Sequence, residues 1–152
     1  MPNVATLGRR AILALGLLAF TLAGPAVAER VNAEQGVAIR GYDPVAYFTE
    51  GRPVPGRPEF AHTWNGAAWH FASAANRDRF AAEPARYAPS YGGHCAWAAA
   101  EGYLAPIDPQ AWKIVDGRLF LNYDRSIQRR WERDIPGTIA RADRNWPRLA
   151  AQ

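Results

Sequence analysis

Cys95 is the only cysteine in the chain, and it sits in the segment Tyr91-Gly92-Gly93-His94-Cys95-Ala96-Trp97. A thiol beside an imidazole admits three chemistries. It can be a nucleophile, once a base draws off its proton. It can ligate a soft metal ion. It can also pack in a core as a small hydrophobe, the common fate of a free cysteine. Catalysis by the adjacent pair is disfavoured, because successive positions on a helix point in different directions. Structural zinc is disfavoured too, since the chain has no CxxC or HxxxH spacing. Cu(I) is less demanding, as it accepts few ligands, soft or imidazole. Cys95 with His94, His70 and His62 is the metal set these residue types allow, and copper is the ion it suits. Gly92 and Gly93 lack Cβ, so another backbone or a ligand can come close. With Tyr91 and Trp97 beside them they form a candidate ligand pocket. Cys95 is expected to be reduced, shielded and within reach of a histidine. No Gly-x-Ser-x-Gly, phosphate loop or dinucleotide fingerprint occurs elsewhere.

The compartment bears on that thiol. Residues 1–28 carry Arg9 and Arg10, an apolar run from Ala11 to Ala23, and Ala26-Val27-Ala28 as a small-residue cleavage signal. The run is short for a membrane span. We read residues 1–28 as a signal peptide, with a mature chain starting at Glu29, not membrane-spanning, and periplasmic or secreted. The paired arginines also suit twin-arginine translocation. Removing this segment leaves 16 basic against 14 acidic residues, a net charge of +2. No dense basic run remains, and no nucleic-acid footprint is expected. A lone cysteine excludes an internal disulfide.

The elements that must position these residues read as a small α+β domain. Asn65-Gly66 is a primed-turn signal between aromatic strands, Phe60–Trp64 and Ala67–Ala72. Asp116-Gly117 marks a second hairpin, Trp112–Val115 with Arg118–Tyr123. Both are expected in one small antiparallel sheet with flanking helices. Ser73 is a candidate N-cap, and Glu83-Pro84 should end the helix that follows. Gly102 should close a helix running from Cys95. A helical stretch from Asp124 should break at Pro136-Gly137. Asp43-Pro44 reads as turn chemistry opening a helical turn.

"GYDPVAYF", "WNGAAWHFASAANRDRFAAEPARYAPSYGGHCAWA" and "DPQAWKIVDGRLFLNYD" together resemble the exported bacterial proteins that carry a YHS domain. The resemblance runs over residues 37–146. It implies a YHS-like core related to zinc-ribbon and TRASH modules. Metal-binding relatives carry cysteines just after the Asp-Pro-Val, just before the Ser, and beyond it. Here those positions hold Ala46, Ala72 and Asn76, so the fold is implied more firmly than the metal. The leading reading is an exported, non-enzymatic binding domain for a metal ion or small ligand, with a soft ion such as copper near Cys95. A thiol-dependent enzyme or redox protein using Cys95, and a purely structural interaction domain, are the alternatives.

Overall fold

The computed structural model describes residues 29–152; the candidate signal peptide and its arginine pair lie outside the described residues. Two short strands, β1 (Ala33–Glu34) and β2 (Val37–Ala38), turn back on each other, and α1 (Ala46–Thr49) follows. The first aromatic hairpin is β3 (Arg57–Trp64) with β4 (Ala67–Phe71). Its turn residues Asn65 and Gly66 have φ of 50° and 75°, the positive pair that a primed turn requires. The sheet runs β1-β2-β4-β3, with β2 parallel to β4. Pro58 is therefore on an edge strand, where its missing N–H is tolerated. Trp69 and Phe71 face inward while His70 between them faces the other way.

Ser73 Oγ accepts the Asn76 N–H at 3.1 Å and caps α2 (Ala74–Ala82). Pro84 then opens the short α3 (Pro84–Tyr87). A tight turn at Ser90–Gly93 leads into α4 (Ala96–Glu101), which closes on Gly102 at φ 93°. The second hairpin, β5 (Asp108–Val115) with β6 (Arg118–Asn122), turns at Asp116-Gly117 with φ of 50° and 74°. It forms a sheet of its own. The expectation of one antiparallel sheet holding both hairpins is corrected: there are two, and the first contains a parallel pair. One edge of β4 is taken by β3 and the other by β2, so β4 has none left for the second hairpin.

The C-terminal helices are α5 (Arg125–Trp131) and α6 (Ile135–Ala150), separated at Glu132–Asp134 rather than at Pro136-Gly137. Pro136 lies in the first turn of α6, where no helical N–H is needed. Asp134 supplies the cap, its Oδ1 accepting the Gly137 N–H at 3.0 Å.

The buried residues form two clusters. One holds Trp69, Phe71, Phe80, Leu119 and Leu121; the other holds Tyr91, Phe120, Trp131, Ala142 and Leu149. β6 serves both through strand alternation, with Leu119 and Leu121 on one face and Phe120 on the other. α4 does the same with small residues. Cys95 and Ala98 face the first cluster, and Ala96, Ala99 and Ala100 the second.

Candidate functional site

Three consecutive residues at the centre of the site are left-handed: Tyr91 at φ 59°, Gly92 at 60° and Gly93 at 81°. A Cβ on Gly92 would overlap the Arg30 carbonyl oxygen, and one on Gly93 would overlap the Ile39 side chain. The glycines thus admit a neighbouring backbone. That backbone is the segment around residues 30–32, held by Asn32 N–H to Gly92 O at 2.8 Å and Asn32 Nδ2 to Gly93 O at 3.0 Å. It fixes the turn, and the turn fixes Tyr91.

Tyr91 packs on Phe120 and Trp146, with ring centroids 5.9 Å away in each case. Its hydroxyl donates to Asp143 Oδ1 at 2.9 Å. Burial pushes its pKa up, and the neighbouring carboxylate adds to that. Arg118 grips the same carboxylate in bidentate fashion, at 3.1 and 2.9 Å, and its Nε donates to Ser90 Oγ at 3.1 Å. The guanidinium also lies over the Phe120 ring at 4.9 Å. Asp143 is held below the usual carboxylate range by this hydrogen bonding to Arg118. The group walls a cleft of about 640 Å3, which Trp64, Trp146, Tyr91 and Gly92 also line. Its size, aromatic surface and few fixed polar groups are those of a small-molecule site.

Cys95 lies on the other side of the turn and is 1% exposed. Its sulfur caps α4, accepting N–H bonds from Ala98 at 3.5 Å and Tyr123 at 3.3 Å. The S–H donates to Asn122 Oδ1 at 3.7 Å, an oxygen that also accepts the Trp97 N–H at 3.1 Å. Burial pushes the thiol pKa up and outweighs the backbone donors around it. The thiol is free and shielded, as expected. No histidine is among its hydrogen-bond partners among the described residues.

The histidines are dispersed. His94 Nδ1 lies 2.9 Å from Tyr91 O, and its ring packs on Trp146 at 6.1 Å. His62 meets Phe80 edge-on at 6.2 Å. His70 lines a shallow depression with Glu34, Arg40 and Gly41. Cys95, His94, His70 and His62 are not brought together, and among the described residues no three His, Cys, Asp or Glu side chains are grouped to hold a metal ion. Of the four expected pocket residues, Tyr91 and Gly92 line the large cleft, whereas Trp97 lines a separate cavity with Cys95. Gly93 lines neither and packs beneath the turn against Ile39. Sequence reasoning missed Trp64, Trp146 and the Arg118–Asp143 pair, whose partners carry no local signal.

His94 makes stability pH-dependent. Burial lowers its pKa below the ordinary value of about 6.5. The unfolded chain therefore binds the proton more readily, and stability from neutral His94 is complete above about pH 6.5 and lost below it. Between pH 7 and 5 the wild type should lose more stability than His94→Gln. The excess slope is bounded by about 1.4 kcal/mol per pH unit. Urea midpoints at the two pH values measure it, and parallel losses would contradict it.

Residues 45–91 match the family model of the YHS domain. The YHS match is confined to that span, which runs from the start of α1 through Tyr91. No curated protein and no solved structure matches. Because Tyr91 packs on Phe120 and Trp146, the matched segment shares its packing with the chain beyond it. A YHS domain suggests a metal-binding role, and the structure permits a test of fit. Ala46, Ala72 and Asn76 do converge, all on the buried carboxylate of Asp43. Oδ1 accepts the Val45 and Ala46 N–H groups at 2.8 and 3.2 Å; Oδ2 accepts Ala72 N–H at 2.9 Å and Asn76 Nδ2 at 2.8 Å. Two alanines and an asparagine offer no thiolate or imidazole. The residues present do not fit a soft metal there.

Proposed function

We propose that this is an exported, non-enzymatic YHS-domain binding module whose ligand is a small organic molecule with a flat apolar face, held in the Tyr91 cleft. The observation that carries this reading is the cleft itself: about 640 Å3, lined by Trp64, Tyr91 and Trp146, with a prebuilt Tyr91–Asp143–Arg118–Ser90 network in its wall. The network is internally paired, so it shapes the cleft without offering a free charge. Binding without turnover follows from the same pairing. Ser90 Oγ is engaged by Arg118, and none of the three histidines lines the cleft. Thiolate chemistry is disfavoured by a buried Cys95 whose proton is held more tightly than usual. Copper at Cys95 would require a partner ligand, and the nearest polar groups to the sulfur are amides. Export to the periplasm or medium rests on Arg9-Arg10, the apolar run and Ala26-Val27-Ala28.

The test is a fragment screen by NMR on the mature protein. Hits should shift the Trp64 and Trp146 indole signals, and Trp146→Ala should weaken them tenfold or more. Hits that never touch the cleft would overturn the site. Stoichiometric copper in protein isolated from its own compartment, lost in Cys95→Ser, would restore the metal reading in its place. Intact mass of exported material checks cleavage before Glu29.

A further inference from the structure

The cavity over Cys95 shares no lining residue with the Tyr91 cleft. Its volume is about 210 Å3, and Trp97, Tyr103, Tyr123 and Ile127 wall it above the thiol and two alanines. No charged side chain lines it. One further observation marks it. Tyr103 and Tyr123 on its walls are the large hydrophobic side chains that the described residues leave exposed, at 52% each.

We propose that this cavity binds an uncharged aromatic molecule of one or two rings, seated between Trp97 and the two tyrosines with its edge towards Cys95. Size supports the class. An apolar cavity of about 150 Å3 takes benzene, so this one has room for a fused pair of rings. Aromatic walls favour offset or edge-on contact with such a ring. An uncharged lining offers nothing to compensate a charged ligand. The exposed tyrosines gain a partner when the cavity fills, and the thiol beneath is covered further.

Cys95 is also the reporter. Quinoline is the probe, and quinoline-2-carboxylate is its charged control. Saturating quinoline should slow modification of Cys95 by methyl methanethiosulfonate at least tenfold and shift the Trp97 indole resonance. The carboxylate should bind at least tenfold more weakly. Ala105→Leu, which fills the cavity, should abolish both effects. If that variant does not fold, Tyr123→Ala removes an exposed wall while keeping the backbone N–H that bonds the sulfur, and should weaken quinoline about tenfold. An unchanged modification rate at saturation would overturn the proposal. So would quinoline shifts confined to Trp64 and Trp146, which would place the ring in the other cleft.

Discussion

Gly92→Val should detach residues 30–32 from the domain and lower its stability by about 3 kcal/mol or more. Three costs combine. Holding a non-glycine residue at positive φ costs about 1–2 kcal/mol, and β-branching adds to it. The new Cβ would overlap the Arg30 carbonyl oxygen and lie 2.9 Å from its carbon. These are backbone atoms that no rotamer change can move aside. The displaced segment then loses its bonds to Gly92 and Gly93, each contributing about 1 kcal/mol. Gly66→Val is the matched control. Its φ is 75°, but nothing lies within 4 Å of the added Cβ, so only the backbone cost applies. Urea unfolding of both variants, with limited tryptic cleavage at Arg30, separates the two effects. Equal losses would mean that the close approach at Gly92 carries no weight.

Asp43→Ala should cost about 3–5 kcal/mol. The carboxylate is fully buried and accepts four donors from α1, the end of β4 and the start of α2. Without it, those donors stay in the interior unpaired, and each buried orphan costs about 1–3 kcal/mol before relaxation. Asp43→Asn should fall in between. Its oxygen can still receive the Val45 and Ala46 N–H groups, but its NH2 would confront two other donors. Chemical denaturation of both variants tests this order. A loss below about 1 kcal/mol for Asp43→Ala would show that water replaces the carboxylate.

Features written in adjacent residues were legible in the sequence. Asn65-Gly66 and Asp116-Gly117 announce positive φ, Ser73 announces a cap, and Glu83-Pro84 announces the break between α2 and α3. Gly92-Gly93 signalled a close approach, though not that the N-terminal backbone makes it. What stayed hidden depends on distant partners. Asp43 reads as turn chemistry, and its bond to Asn76 spans 33 positions. Arg118 and Asp143 are 25 apart. Cys95 reads as a nucleophile, a ligand or a packing residue, because sequence does not show that its sulfur takes the place of a serine or aspartate at a helix start. The helix break fell at Glu132–Asp134 because Asp134 caps better than Pro136 breaks. The candidate metal set failed to assemble for a similar reason. Residue types say what could ligate, while convergence is decided by the sheets that carry them.

The wall shared by the two clusters bears on how the molecule opens. α4 and β6 are each clothed on both sides, so neither half can loosen without baring one of their faces. Trp97 packs against both clusters, which ties the halves at a single indole. Local opening should begin at the outer edge, in β1, whose two residues are both exposed. The amides of α4 and β6 should exchange with solvent last, at a rate set by global unfolding. The cavity over Cys95 and the cleft at Tyr91 flank this slowest-exchanging seam, so a ligand in either would steady the wall of the other.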